Sequence, residues 1–400
     1  MKFDKYTVLT LFCIGAAVPL TMLLLDRRMA ENTPTVRVAS FNVSLNREHS
    51  GELLNELRGG QSEQARKIAE IIQRADVDVV LLCELDRDSA GEAASVFARE
   101  YLAVSQGGQR AIDFGYVFAA PSNTGVASGL DLDLDGKTDG PGDAFGFGQF
   151  PGKFGMALLS RHPLDIANAR TFQLLKWSAM PAPLRPSGYW PDDVWSQLRL
   201  SSKSHWDVPM RVLGTEIHLL CSHPTPPVFD GKEDRNGCRN HDEIRFWVDY
   251  LTPSKSGWIV DDKGKVGGLV EDAHCVVMGD QNCDPIEGDA QRGALTTLLA
   301  MPRLQDPKPW SRGAVEQSSK QWGANAVQKG DPMFDTGDFE DVPGKGPGNL
   351  RIDYVLPSRS LQVVSSGVFW PLAWEPTYAL VAASDHRLVW VDLALAAKPR

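Results

Sequence analysis

Residues 274–285 read HCVVMGDQNCDP. An apolar run centred on Val276 and Val277 stops at Gly279, and Asp280, Asn282 and Asp284 follow at once. A short apolar run closed by glycine predicts a buried strand, and this one delivers a carboxylate, an amide and a second carboxylate to a single end. The pattern recurs along the chain. Asn42 follows VASF, Glu84 follows VVLLC, and His218 and His223 flank the end of GTEIHLLCSH. Asp353 lies within LRIDYVL, and Asp385 with His386 precedes RLVWVDL.

Around these strand ends the text alternates between strand-like and helix-like stretches. Strands are predicted at 36–43, 76–86, 154–160, 210–220, 274–280, 350–357, 361–370 and 386–393. Helices are predicted at 63–75, where Ala65, Ile68, Ala69 and Ile72 share a face, at 240–251, where Ile244, Trp247, Val248 and Leu251 do, and at 289–300. Two stretches break the rhythm: 120–153 is rich in Gly and Asp, and 176–209 carries Trp177, Trp190, Trp195 and Trp206 among prolines and serines. Both read as long excursions beyond the core sheets. Neither a repeat nor a linker divides 36–396, which is expected to form one domain.

The bulk composition agrees with a globular chain: of 400 residues, 42% are hydrophobic and 23% charged. Lysine and arginine number 41 against 51 acidic residues, a formal charge of −10, which opposes any function resting on blanket neutralisation of nucleic-acid phosphates. Residues 1–30 stand apart. Lys2 and Lys5 precede an uncharged apolar run over 6–25, and Arg27 and Arg28 close it. About 20 apolar residues cross a bilayer, so the segment reads as a membrane anchor in preference to a cleaved signal. The body is then expected outside the cytoplasm, membrane-anchored or secreted. Cys83, Cys221 and Cys275 lie in strand-like runs as small buried hydrophobes, and a Cys221–Cys238 bridge is conceivable in an oxidising compartment.

Asn, Glu, Asp and His at the ends of apolar strands, with almost no Ser or Cys nucleophile beside a base, point away from covalent catalysis. Hard oxygen donors suit Mg²⁺ or Mn²⁺. A cation held by carboxylates, with amide and imidazole donors beside it, is what water-mediated hydrolysis of a phosphate ester requires. Taken singly, each residue has a plainer reading: Asn42 or Asp353 as a turn or cap, Glu84 as a solvated strand end. Lys203 and His205, in SSKSHWDVP, either contact phosphate or belong to a surface loop.

SFNV with Asn42, LLCELD with Glu84, GMALLSRHPL, IHLLCSHP, MGDQNCDP, RIDYVLPS and SDHRLVWVDL stand in the order and approximate spacing of the endonuclease/exonuclease/phosphatase superfamily, which the chain resembles over about 36–394. The resemblance implies an α/β (α+β) fold, a four-layered sandwich of two mainly antiparallel β-sheets packed face to face with helices on both outer sides. It implies Glu84 as principal metal ligand, assisted by Asn42 and Asp385. Asp280 would orient or deprotonate water, Asn282 would hold the scissile phosphate, and Asp353 would fix the tautomer of His386, which contacts the phosphate or acts as base. The family's histidine in this region corresponds to His218 or His223, and strand parity favours His223.

A separate signal is SGLDLDLDGKTDGPGD at 128–143. Asp131, Asp133, Asp135 and Gly136 reproduce the opening of a calcium loop, and Asp139 adds a further carboxylate, although Gly142 stands where a standard loop places glutamate. A structural Ca²⁺ is expected there. The expected function is divalent-metal-dependent hydrolysis of small or lipid-borne phosphate esters, a phosphatase or phosphodiesterase, with the tryptophan-rich excursion available to meet a membrane. The alternatives are a secreted or membrane-bound nuclease, with DNA or RNA as substrate only, and a non-catalytic binding module on the same fold. No obligate protein partner is evident.

Overall fold

In the computed structural model, which describes residues 34–395, strand alternation sorts the side chains into layers. Thr35–Leu45 (β1) sends Val36 and Val38 to one face and Ala39, Phe41 and Val43 to the other. Successive side chains of a strand point to opposite sides, so a strand apolar on both faces must be covered twice. Val79–Leu85 (β2) repeats the pattern, with Val79 and Leu81 inward and Val80 and Leu82 outward.

The remaining strands are Tyr116–Phe118 (β3), Met156–Ser160 (β4), Arg170–Thr171 (β5), His205–Val212 (β6), Thr215–Ser222 (β7), His274–Asp280 (β8), Gly337–Asp338 (β9), Asn349–Leu350 (β10), Asp353–Pro357 (β11), Gln362–Val368 (β12) and Val389–Ala394 (β13). They form a six-stranded sheet in the order β12-β13-β1-β2-β4-β3, a five-stranded sheet in the order β11-β8-β7-β6-β5, and a small β10-β9 ribbon. Val36, Val38 and Val79 from the first sheet meet Val208, Ile217, Leu219, Val276 and Met278 from the second in one inter-sheet core. Helices cover both outer faces, which completes the four layers.

On one side lie α1 (Glu52–Leu57), α2 (Glu63–Ala75) and α3 (Ala93–Phe97). The α2 helix starts where the Ser62 hydroxyl accepts from the Ala65 amide at 3.3 Å, and ends at Asp76 in the left-handed region with φ 48°. Its buried Ala65, Ile68, Ala69 and Ile72 face the sheet as their spacing requires. On the other side lie α4 (Asp192–Trp195), α5 (Arg235–Tyr250) and α6 (Gly293–Leu299), while α7 (Arg312–Lys320) buries Ala314 against the inter-sheet core.

Each sheet contains one parallel pair, β1/β2 and β7/β8, and its other neighbouring strands are antiparallel. A parallel pair needs a crossover, supplied by α1 and α2 in the first sheet and by α5 in the second. The fold therefore contains two βαβ units packed back to back, with both crossovers on the outside.

Three expectations change. The run at 210–220 is not one strand. Leu213 at φ 49° and Gly214 at φ 80° make a two-residue hairpin turn that joins β6 to β7, and left-handed φ at both positions suits the strand twist. The excursion at 176–209 stops before β6, and its tryptophans are not a surface feature: Trp177 and Trp206 are 0% exposed, Trp190 and Trp195 8%. Trp177, Trp190 and Trp195 stack on one another and on α5 as a satellite core, so they offer no face to a membrane. The Cys221–Cys238 bridge is absent, since Cys221 points between the sheets and Cys238 into the outer helical layer. The apolar run at 6–25 lies outside the described residues, among which no helix is long and apolar enough to cross a membrane.

Candidate active site

The two parallel pairs end at the same place. At the end of β1, Asn42 donates from Nδ2 to Asp280 Oδ2 at the end of β8, 3.0 Å away, which ties the two sheets together. Both residues are buried. Ligand sites in α/β folds form beyond the carboxyl ends of parallel strands, and here two such ends face one another.

Glu84 arrives by a local break. Regular alternation would send it outward with Val80 and Leu82, but its φ is 56°, and a bulge between Asn42 and Leu45, with Ser44 at φ 47°, resets the pairing. Leu85 then packs with the helices in its place, and Glu84 faces the charges of His386, Lys203 and Asp280. Positive φ in non-glycine residues is costly and concentrates at functional sites.

Asp280 is the hub. Its Oδ1 accepts from the Asn282 amide at 2.8 Å, and its Oδ2, besides Asn42, lies 3.5 Å from His223 Nε2 and 3.6 Å from His386 Nε2. His386 Nδ1 binds Asp353 Oδ2 at 2.9 Å, and the Thr336 hydroxyl donates to the same oxygen at 2.9 Å. Asp353 and Asp280 sit directly opposite across β11 and β8. Like charges in that relation repel, and the His386 ring bridges them.

Burial pushes the Asp280 carboxyl up to about 6, against the pull of His386 and the amides of Asn42 and Asn282. For His386 burial works against the charged ring, yet Asp353, Asp280 and Asp385 outweigh it and hold the imidazolium up to about 10. Burial, with Lys203 and His386 nearby, drives His223 well below the ordinary histidine range. Burial raises Glu84 and lowers Lys203, whose ammonium is drawn upon by Glu243, Glu84 and Asp280.

Asp280, Asp353 and His386 each bring one ligand atom to within 4.8 Å of the others. Asp353 Oδ1 and both ring nitrogens of His223 are buried without a hydrogen-bond partner. Buried carboxylates beside unpartnered polar atoms fit a hard divalent cation. Asp385 stands at the rim, exposed, with Oδ1 accepting from the Ser44 hydroxyl at 2.8 Å. The Asn282 side chain donates from Nδ2 to the Pro224 carbonyl at 3.0 Å.

Of the alternatives left open in the sequence, His223 lies in this cluster, whereas His218 lies on the outer face of the second sheet with Nδ1 2.6 Å from Asp207 Oδ1. Lys203 is buried beside the cluster. His205 is neither a phosphate contact nor a loop residue: it begins β6, 1% exposed, with Nε2 2.9 Å from the Glu243 carbonyl oxygen and its ring packed on Phe246 and Trp247. Away from the cluster, Asp131, Asp133 and Asp143 form a second group with ligand oxygens within 4.8 Å, and Asp135 and Asp139 stand outside it. Asp143 replaces them because two backbone amides, Leu132 at 2.8 Å and Gly140 at 2.9 Å, hold its carboxylate inward.

Three residues of the site carry no sequence signal. Thr336 supports Asp353 from the β9 ribbon, and Asn46 and Lys153 stand behind Glu84. Each is a polar residue in a turn-rich stretch, and only the folded chain gives it a partner.

The sequence profile described as "Endonuclease/Exonuclease/phosphatase family" matches residues 39–386. Among solved structures, an endonuclease/exonuclease/phosphatase from Beutenbergia cavernae is similar with a TM-score of 0.51 at 18% identity, over 90% of this chain and 72% of that one. A family protein from Leptotrichia buccalis gives 0.47 at 16%, over 90% and 100%, and sphingomyelinase C from Streptomyces griseocarneus gives 0.44 at 16%, over 91% and 100%. At 18% identity the likeness to the Beutenbergia cavernae protein is one of fold. Comparison with curated proteins gives no match. With the profile spanning both βαβ units and every strand end of the site, the chain belongs to the endonuclease/exonuclease/phosphatase family, whose members are metal-dependent hydrolases of phosphoester bonds.

Proposed function

We propose that this chain is a phosphatase or phosphodiesterase of small phosphate esters, with Glu84, Asn42 and Asp385 holding Mg²⁺ or Mn²⁺ and Asp280, Asn282, His223, Asp353 and His386 acting on the substrate. The observation that carries the reading is the Asp280 carboxylate at the end of β8, which touches Asn42 and His386, carried by β1 and the approach to β13 of the six-stranded sheet, and His223, which follows β7 of the five-stranded sheet, so that both βαβ units feed one reacting centre.

A divalent cation held by Glu84, Asn42 and Asp385 would supply neutralisation of the charge that develops on the reacting phosphate. The chain's own groups do the rest. Asn282 and His223 orient phosphoryl oxygens as hydrogen-bond donors, and Lys203 adds positive potential behind them. Asp353 holds His386 by Nδ1, which leaves Nε2 aimed at Asp280 Oδ2. The proton of the attacking water passes to the Asp280–His386 pair, which acts as one unit. Thr336 keeps Asp353 in register through its hydroxyl.

The net charge of −10 supports small esters over long polyanions. The buried tryptophans remove the argument for contact with a lipid surface. The apolar run at 6–25 supports an extracytoplasmic, anchored or exported body. At the second acidic group, Asp131, Asp133 and Asp143 support a structural Ca²⁺ that would brace the 128–143 loop.

The test is a substrate panel of plasmid DNA, RNA, a bis-aryl phosphate, a monoester, sphingomyelin and inositol phosphates, with Mg²⁺, Mn²⁺ and Ca²⁺ at low and high salt. The proposal expects turnover of a small ester that changes little with salt. Preferred cleavage of DNA or RNA, falling steeply as salt rises, would make the chain a nuclease instead.

A further inference from the structure

Behind Glu84 runs a two-step chain of side chains. Asn46 donates from Nδ2 to Glu84 Oε2 at 3.0 Å, and Asn46 Oδ1 accepts from the Lys153 ammonium at 3.2 Å. Lys153 is 4% exposed; its ammonium also donates to the Arg47 carbonyl and stands 4.6 Å from the centre of the Phe154 ring. The loop that carries it is pinned on both sides. The Arg87 amide donates to the Gly152 carbonyl at 2.8 Å, and a Cβ on Gly152 would collide with the Arg87 carbonyl. Asp86 then joins the two loops, accepting from the Phe154 amide at 2.8 Å with one oxygen and from the Arg47 amide at 2.6 Å with the other.

An ammonium only donates, so the atom that Asn46 turns toward Lys153 has to be its oxygen, and its NH₂ group then faces Glu84. Without that constraint the amide can turn over and present its oxygen to a carboxylate, which repels it. The arrangement also keeps a full positive charge one side chain away from Glu84. An ammonium in direct contact would compete with a cation for the same carboxylate; a neutral amide does not.

We infer that Asn46 and Lys153 are positioning residues for Glu84: Lys153 sets the orientation of the Asn46 amide, and that amide holds Oε2 so that Oε1 stays free for a cation. This rests on the reading of Glu84 as a metal ligand. Both residues act on Glu84 without touching substrate.

The test is direct Mn²⁺ binding by the metal-stripped full chain, followed by electron paramagnetic resonance titration, with thermal melting as the check on folding. The readout is the class of bound Mn²⁺ that Glu84→Gln removes. Asn46→Ala is expected to weaken that class about 10–100-fold, the range seen when a group supporting a metal ligand is lost. Lys153→Met is expected to weaken it by less. The Asn46→Ala/Lys153→Met double variant is expected to bind no more weakly than Asn46→Ala alone, because Lys153 works through Asn46. Should Asn46→Ala not fold, Asn46→Gln, with its amide displaced by one methylene, takes its place with the same ordering. Unchanged Mn²⁺ affinity in the Asn46 variant, or additive losses in the double variant, would overturn the inference. A Glu84→Gln chain that keeps every class of Mn²⁺ would instead overturn the assignment of Glu84 itself.

Discussion

Asp353–His386 and Asp207–His218 are built from the same parts. In each, a buried aspartate meets a histidine Nδ1, at 2.9 Å and 2.6 Å, and a hydroxyl completes the aspartate: Thr336 at 2.9 Å in the first, Tyr250 at 2.5 Å in the second. They differ in what the far side of the imidazole meets. His386 Nε2 faces Asp280, buried, with His223 and Asn42 on the same oxygen. His218 Nε2 faces Glu216 at 3.7 Å on the partly open outer side of β7, and Asp207 belongs to a network that anchors β6 to α5 through Tyr250. An Asp–His pair is thus a general way to satisfy a buried carboxylate. Position makes the first one a site, because it sits where two parallel strand pairs end.

That contrast can be broken by paired substitutions. The largest effect is expected from His386→Ala, which should lower turnover about 10²–10⁴-fold with the fold retained, as loss of a proton-transfer group does. Steady-state kinetics with a thermal melt beside them check it, and normal kinetics would remove His386 from the mechanism. Asp353→Asn should cost about 10–100-fold in turnover, because it misorients the ring without removing it; an effect as small as that of a surface substitution would demote Asp353 to a structural role.

On the other side, His218→Ala should leave turnover unchanged and cost about 1–3 kcal/mol of stability, since it strips Asp207 of a partner inside the protein. Chemical denaturation gives the stability, and a matching loss of turnover would erase the distinction between the two pairs. His205 sharpens the comparison through pH. Burial drives its pKa down to about 3, so between about 3 and its ordinary value of 6.5 the unfolded chain binds a proton that the folded chain refuses. Stability from this group is present above 6.5 and is lost as pH falls through that window. His205→Gln, which keeps a donor for the Glu243 carbonyl and does not titrate, should flatten the acid side of a melting-temperature profile, the smallest effect of the series.

The sequence made the strand ends legible because each polar group follows an apolar run that only a buried strand explains. Parity distinguished His223 from His218: Ile217, Leu219 and Cys221 point between the sheets, which sends His218 outward. Other features depend on three-dimensional context. Glu84 enters the site through a left-handed backbone at a bulge, which alternation alone contradicts. Asn46, Lys153 and Thr336 gain meaning only from partners 17 to 107 positions away. The tryptophans at 177, 190 and 195 lie among turn residues with no strand or helix period, and nothing local reveals that they cover the outer face of a sheet.

The central claim is that the ends of β1, β2, β7 and β8 form one metal-dependent hydrolytic centre. The most direct measurement is hydrolysis of the ester selected by the substrate panel, by the full chain and by Asp280→Asn, before and after chelation and again with Mg²⁺ or Mn²⁺ restored. The account predicts turnover that vanishes with chelator, returns with metal, and is at least about 10²-fold lower in Asp280→Asn whenever metal is present. Turnover that persists in chelator, or an Asp280→Asn chain as fast as the wild type, would contradict it.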